Sequence, residues 1–165
     1  MGISNQIIGL LLSLSILVFV HELGHYFFAR LFKTRVEKFY LFFNPWFSLV
    51  RAKKIDGKWN FSFLSSSAPA SWKDSPETTE WGIGWLPLGG YCSIAGMIDE
   101  TKSVSDLPSE PQPWEFRSKK TWQRFLIIIG GVLVNFIVAL ILYSAILFKW
   151  GEEYIPVNHA KYGLQ

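Results

Sequence analysis

The sequence predicts a membrane α-helical fold, in which two transmembrane helices are connected by a cytoplasmic, membrane-associated region of β-hairpin and re-entrant loop. The first observation behind this prediction is composition: 50% of the residues are hydrophobic, with 8 Trp and 14 Phe, and the mean hydropathy is +0.22. These values are high for a soluble domain. The second is a pair of apolar segments long enough to cross a bilayer. The third is the aromatic, β-branched composition of the segment between them.

The first transmembrane helix is predicted over residues 1–33. Its apolar run, residues 7–20, is followed directly by His21-Glu22-Leu23-Gly24-His25. An ionisable side chain near the centre of a bilayer costs about 2.5 to 3.5 kcal/mol, so such residues usually have a function. We therefore expect this helical turn to carry the chemistry of the chain.

The spacing of the two histidines predicts a metal site. Positions i and i+4 lie on one face of a helix, so His21 and His25 can bind one ion, while Glu22 points about 100° away, toward a water on that ion. Neutral imidazole suits Zn²⁺, and an open coordination position lowers the pKa of bound water to about 7. Glu22 is then the general base. The alternative, a pair of histidines satisfied within a core, requires polar partners that the neighbouring residues do not supply.

The region between the helices, residues 34–100, is predicted to form a membrane-associated β-hairpin followed by a re-entrant loop. Asp56-Gly57 is typical of a tight hairpin turn, here between strands predicted at residues 47–51 and 58–63. Residues 65–80 collect Ser, Pro, Thr and acidic side chains, which predicts an exposed loop.

Residues 81–91 are apolar, rich in glycine and too short to cross a bilayer. Two interpretations are open. The segment either packs under the cytoplasmic face of the membrane, or enters the membrane as a re-entrant loop that offers a strand edge to a substrate. A second exposed loop is predicted at residues 101–113, which contain three prolines.

Residues 101–124 are predicted to be a cytoplasmic loop, residues 125–148 the second transmembrane helix, and residues 149–165 an extracytoplasmic tail. Fourteen of the sixteen Lys and Arg residues lie between Arg30 and Arg124. The positive-inside rule therefore places both termini outside and the connection in the cytoplasm. This topology accounts for the net charge of +3, so we expect the lipid bilayer, and no nucleic acid, as a partner.

Motifs at three separated places occur together in one known family. The first is the His21 to His25 turn, followed by Val36-Glu37-Lys38-Phe39. The second is Leu86-Pro87-Leu88-Gly89-Gly90-Tyr91, and the third is Trp122-Gln123-Arg124 leading to Gly131-x-x-x-Asn135-Phe136. In this order they resemble the site-2 protease family of intramembrane zinc metalloproteases, particularly its bacterial RseP-like branch. Val132 departs from the family, which commonly has proline there.

The resemblance implies that His21 and His25 are zinc ligands and that Glu22 is the catalytic acid and base. The family takes its third zinc ligand from an Asp in a later membrane helix, and this chain has no Asp after Asp106. We therefore expect the third ligand beyond Gln165. The chain is then the N-terminal part of a larger protease, an incomplete core that is inactive alone, and its tail is the start of a PDZ-type region.

The implied function is that of a zinc metalloendopeptidase performing regulated intramembrane proteolysis of single-span membrane proteins, with a substrate helix as its partner, in the bacterial inner membrane. The candidate substrate-binding residues are Gly89, Gly90, Tyr91 and Asn135. Asn135 fits an interhelical hydrogen bond equally well, and Gly130 and Gly131 are expected to be close-packing residues. Two other functions stay open: a membrane-anchored zinc protease of another family acting on non-membrane substrates, and a catalytically inactive membrane scaffold.

Overall fold

The computed structural model of the chain describes residues 2–98 and 110–151. Contacts divide the chain into two compact units, Met1–Asn135 and Phe136–Gln165. The first unit contains the first helix, a five-stranded sheet and the beginning of the second helix, and the described part of the second unit is the rest of that helix. The candidate site lies wholly in the first unit.

Two helices, α1 (Ile3–Leu31) and α2 (Thr121–Trp150), are long and apolar enough to cross a membrane. At 1.5 Å per residue each exceeds the roughly 30 Å of a hydrocarbon core. The prediction of two apolar helices joined by β structure is thus confirmed, while membrane crossing and orientation stay predictions. The second helix begins four residues before the predicted start, at a polar turn in which the Lys120 N–H donates to Gln123 Oε1 at 3.1 Å. Hydropathy marks only the apolar part of such a helix.

The β structure is one mixed sheet with the strand order β3-β2-β4-β1-β5. Strand β1 pairs in parallel with β4, and the remaining neighbours pair antiparallel. The strands are β1 (Val36–Leu41), β2 (Ser48–Ile55), β3 (Lys58–Ser65), β4 (Glu80–Ile83) and β5 (Tyr91–Ile94).

The predicted hairpin is present as β2 and β3. Its turn residues Asp56 and Gly57 both have positive φ, 49° and 79°, which is the backbone that a two-residue hairpin loop needs. The strands are longer than predicted, because Ile55 pairs with Lys58 directly beside the turn. The membrane association of this region stays a prediction.

The prediction of an exposed loop over residues 65–80 is confirmed for half of the segment, which is exposed, and is wrong for Trp72, Ser75, Thr79 and Glu80, which are buried. Within it a 3-10 turn, Ala70–Asp74, buries the Trp72 side chain. The backbone carbonyl of Trp72 accepts a hydrogen bond from Lys53 Nζ at 2.8 Å. The Thr79 hydroxyl donates to the Val36 carbonyl at 2.9 Å. A polar composition predicted a solvated segment, whereas a single large aromatic side chain docks it against the sheet. For the second predicted loop, residues 101–109 lie outside the described residues.

Both interpretations of residues 81–91 took the whole segment as a loop, and the structure differs from this at the start of the segment. Residues 81–83 belong to β4, which lies in the middle of the sheet between β2 and β1. Only the residues after Ile83 form a loop, and it returns to the sheet at Tyr91. Composition could not predict this pairing, because a parallel neighbour distant in sequence leaves no local pattern.

A buried polar network joins the middle strands. The Glu80 carboxylate accepts hydrogen bonds from the Tyr40 hydroxyl and from Arg51 Nη1, the latter at 3.0 Å, and all three residues are buried. Burial, together with the neighbouring Glu80 carboxylate, raises the pKa of Tyr40 well above its usual range. The network connects β1, β2 and β4 through side chains as well as backbone.

The apolar core lies where both helices meet the sheet. Ala29 of α1, Val36, Ile94 and Ile127 of α2 are fully or almost fully buried and contact one another. Partly buried side chains surround them, among them Tyr26, Phe28, Phe32, Cys92, Met97 and Phe116. This core holds the last turns of α1 against β1 and β5, close to the His21 to His25 turn.

Candidate metal centre

The two histidines of the predicted site face each other one turn apart on α1. Their Nε2 atoms lie 3.3 Å apart, and their ring centroids 5.0 Å apart. Two Zn–N bonds of about 2.0 to 2.1 Å at a tetrahedral angle require their nitrogen atoms to be roughly 3.3 to 3.4 Å apart. The spacing of His21 and His25 therefore fits two adjacent positions of a tetrahedral zinc ion.

The orientation of His25 is set by the backbone of α2. Its Nδ1 lies 2.8 Å from the Ile127 carbonyl oxygen, which can only accept a hydrogen bond. Nδ1 therefore carries the proton, and the lone pair of the neutral ring is on Nε2, the atom that faces His21. A backbone carbonyl bonded to the far nitrogen is a common support of metal-ligating histidine.

The other histidine is supported by a side chain. Asn135 Nδ2 lies 3.4 Å from His21 Nδ1, across the contact of the two helices. A side-chain amide offers either its oxygen or its nitrogen at such a contact, so it can match either tautomer of the ring. Asn135 is thus brought to a proposed zinc ligand by an interhelical contact, and its predicted substrate-binding role stays a prediction.

Glycines let the two helices approach at this level. A Cβ added to Gly24 would lie 2.9 Å from Gly131 Cα, and one added to Gly131 would lie 2.6 Å from His25 Nε2 and 2.7 Å from His21 Nε2. A real Cβ does not tolerate such distances. The expectation of close packing at Gly130 and Gly131 agrees with this geometry, and Gly131 in addition leaves the space beside both ring nitrogens open.

Glu22 lines a cavity of about 680 Å³. His25, Gly90 and Tyr91 also line this cavity, together with Cys92 and Ile94 of β5. A Cβ added to Gly90 would lie 3.4 Å from Glu22 Cγ. The predicted base and part of the predicted substrate-binding loop are thus neighbours.

The remaining residues of that loop have structural contacts. Gly89 lies against the ring of Phe43, where an added Cβ would come within 2.7 Å. Tyr91 stacks on Tyr40 with ring centroids 5.0 Å apart and donates a hydrogen bond to Asn44 Oδ1 at 3.2 Å. Gly90 is therefore the loop residue closest to the proposed chemistry, and Tyr91 connects it to the buried network of the sheet.

A third ligand is not found in the part of the chain that the structure describes, because no group of three or more His, Cys, Asp and Glu side chains is placed there to hold a metal. The sequence did not predict the Ile127 carbonyl as a partner of His25. Every residue carries a carbonyl, so no residue type could have indicated it.

An HExxH turn with facing imidazoles and a carboxylate turned toward a cavity is the arrangement of the HExxH class of metal-dependent hydrolases. The chain matches the model of peptidase family M50 over residues 9–78 and 66–163. That match covers most of the sequence. The chain belongs to peptidase family M50, the site-2 protease family.

The names of individual relatives agree with this family assignment. Zinc metalloprotease Rip1 of Mycolicibacterium smegmatis is 32% identical over 145 residues, covering 86% of this chain and 29% of that protein. Metalloprotease MmpA of Caulobacter vibrioides is 29% identical over 166 residues, with 92% and 36% covered. A Rickettsia conorii protein, provisionally named as a zinc metalloprotease, is 32% identical over 155 residues, with 92% and 35% covered. The chain thus spans about a third of the length of these curated relatives.

Proposed function

We propose that this chain supplies two zinc ligands, His21 and His25, and the catalytic acid and base, Glu22, of a zinc metalloendopeptidase that cleaves single-span membrane proteins within the membrane. The observation that carries the proposal is the 3.3 Å separation of the two Nε2 atoms, with one tautomer fixed by the Ile127 carbonyl. The names of the relatives support zinc and protease activity. The third ligand, in this proposal, lies outside the described residues.

Bound zinc supplies Lewis acidity, which activates water and polarises a peptide carbonyl. The Glu22 carboxylate accepts a proton from the attacking water and returns it to the leaving amide nitrogen. The Ile127 carbonyl holds the His25 ring in the tautomer that keeps Nε2 unprotonated, and Asn135 orients His21.

The cavity beside Glu22 supports an extended substrate. Strand β5 is the last strand in the described order of the sheet and lines the cavity together with Gly90. An unwound substrate segment can lie along this edge, where backbone pairing keeps it straight and exposes its peptide bonds to the base. Because α1 and α2 are each long and apolar enough to cross a bilayer, and fourteen of the sixteen Lys and Arg residues lie between Arg30 and Arg124, we propose that this occurs in a bacterial cytoplasmic membrane, with the sheet on the cytoplasmic side.

The decisive experiment measures cleavage of a single-span model substrate by the full-length protein in proteoliposomes. Glu22→Gln keeps the size of the side chain but removes the base, and we expect the rate to fall by at least about 100-fold. Glu110→Gln, a change at an exposed carboxylate, is the matched control and should cut at the normal rate. Normal cleavage by Glu22→Gln would show that the proposed mechanism is wrong.

Metal content separates a protease from a scaffold. The full-length protein should retain zinc, and His21→Ala or His25→Ala should lose it, whereas replacement of the third histidine of this chain, His159→Ala, should not. Retention of zinc in His21→Ala and His25→Ala alike would place the metal elsewhere. A protein without zinc, whose helices still insert, would support the scaffold.

A further inference from the structure

The sheet has two chemically different faces, and α1 contacts one of them. Phe39 and Trp81 pair across β1 and β4, so their side chains point to one side, and both contact the Tyr26 ring of α1, at centroid distances of 5.8 and 5.0 Å. On the β2–β3 hairpin this apolar face continues with three exposed side chains, Trp59, Phe61 and Phe63. The opposite face of the sheet is polar and points away from α1.

A cavity of about 680 Å³ lies on the polar face, and we call it the polar-face cavity. Its volume is typical of a site for a small organic molecule. It shares Asn44 and Tyr91 with the cavity beside Glu22, but neither the proposed base nor the two histidines line it. Among the described residues, two carboxylates, Glu37 and Glu80, and five cations line it: Arg35, Lys38, Arg51, Lys53 and Lys73. The formal charge of this lining is therefore +3.

Both carboxylates of the polar-face cavity are already paired. Glu80 lies 3.0 Å from Arg51 Nη1, and Glu37 lies 3.5 Å from Arg35 Nη2. Within the part of the chain that the structure describes, the three lining lysines have no carboxylate at ion-pair distance; they are Lys38, Lys53 and Lys73. The cavity thus has an excess of positive charge that is not balanced by its own side chains.

The excess is most costly at Lys53, because this side chain is only 7% exposed. Its ammonium group has three N–H donors, and Nζ donates to the Trp72 carbonyl at 2.8 Å. On the same face, Arg51 is 6% exposed, and its Nε has no hydrogen-bond acceptor among the described residues. A buried charge without a counter-charge lowers stability, so a bound anion would offset this cost.

We propose that the polar-face cavity binds the phosphate group of a soluble phosphate monoester. Such a group carries nearly two negative charges at neutral pH and three acceptor oxygens, whereas a carboxylate carries one charge and two oxygens. It can therefore accept hydrogen bonds from the buried Lys53 and from a lysine at the rim at the same time. The cavity is large enough for the organic part as well. Because the polar face points away from α1, the ligand is a solute and not a lipid.

The test measures the binding of radiolabelled inorganic phosphate and glycerol 3-phosphate to the full-length protein by equilibrium dialysis. The protein is held in phosphatidylcholine nanodiscs at physiological ionic strength, which screens weak surface binding. We expect saturable binding that Lys53→Met weakens at least about tenfold, because the variant keeps the apolar stem and removes the buried charge. Lys54→Met is the matched control. Lys54 is the exposed neighbour that pairs with Trp59 and points to the other face, so its replacement should leave binding unchanged.

A second variant keeps the test decisive if Lys53→Met does not fold. Lys73 is exposed at the rim of the polar-face cavity, and Lys73→Gln should weaken phosphate binding about threefold. Equal affinities of the wild type, Lys73→Gln and a folded Lys53→Met would overturn the inference. The absence of saturable binding to the wild type would overturn it as well.

Two further outcomes concern where the phosphate binds. Zinc itself binds phosphate oxygens, so the dialysis is repeated with His21→Ala, which should bind phosphate as the wild type does. Loss of binding in His21→Ala but not in Lys53→Met would place the phosphate on the metal and overturn the inference, while supporting the proposed metal centre. If neither soluble probe binds, but native mass spectrometry shows phosphatidic acid on the wild type and not on Lys53→Met, a lipid headgroup occupies the cavity and the soluble ligand is wrong.

Discussion

The candidate metal centre and the β2–β3 hairpin use opposite kinds of residue. Near the metal centre the decisive features are backbone atoms and missing side chains, namely the Ile127 carbonyl and the hydrogens of Gly131 and Gly90. On the hairpin they are large exposed rings. One added methyl group is therefore severe in the first region, whereas the second tolerates changes that keep its face apolar. The metal centre depends on the positions of individual atoms, whereas the surface of the hairpin depends on which residue types are exposed there.

The largest expected effect is on the stability of the Arg51–Glu80 ion pair, which joins strand β2 of the hairpin to strand β4. In Glu80→Gln the buried Arg51 loses its compensating carboxylate, and breaking a buried pair in this way costs about 3 to 5 kcal/mol. The free energy of unfolding of the chain in detergent micelles should fall by that amount, with hydrogen exchange rising first in β2 and β3. Glu110→Gln is the exposed control. A loss below about 1 kcal/mol would mean that the hairpin is held by its backbone alone.

The second prediction tests whether the metal centre tolerates an added methyl group. Gly131→Ala places a methyl group against both ring nitrogens, so zinc affinity of the full-length protein should fall by about 100-fold. Chelator competition measures this, with Gly9→Ala as control, since Gly9 on α1 has no atom within 4 Å of an added Cβ. Phe61→Ala on the hairpin should leave zinc affinity unchanged. Equal affinities of Gly131→Ala and the wild type would contradict the described helix contact.

The smallest effect is expected at the support of His21. Asn135→Ala removes a long contact of 3.4 Å, and loss of such an outer partner typically costs about tenfold in metal affinity, or about 1.4 kcal/mol. The affinity for zinc should fall while the unfolding transition stays in place. Asn135→Asp, which restores an acceptor, should recover part of the loss. An unchanged affinity would leave only a packing role for Asn135.

Local patterns predicted the parts of this fold that depend on nearby residues. The i and i+4 spacing of His21 and His25 gave the facing rings, and Asp56-Gly57 gave the hairpin turn. Both are set by backbone geometry within a few residues, which one stretch of sequence contains. The apolar helices follow from the same kind of pattern.

Local sequence patterns could not predict contacts between residues that are far apart in the sequence. The Arg51–Glu80 ion pair joins residues 29 apart, and the His25–Ile127 contact joins residues 102 apart. The burial of Trp72 was also missed, because the polar residues around it are exposed and hide the contribution of one large buried ring. The aromatic residues Trp59, Phe61 and Phe63 can be seen in the sequence, but only the strand register shows that they share one face of the sheet.

The contact of His25 with the Ile127 carbonyl also orders events during synthesis. With 102 residues between the partners and a translation rate of about 5 to 20 residues per second, His25 is made about 5 to 20 s before the group that fixes its tautomer. During that interval His25 lacks the acceptor that fixes its tautomer. Supported zinc binding is therefore expected only once Ile127 has been made, so a nascent chain stalled before Ile127 should bind zinc more weakly than one stalled after it.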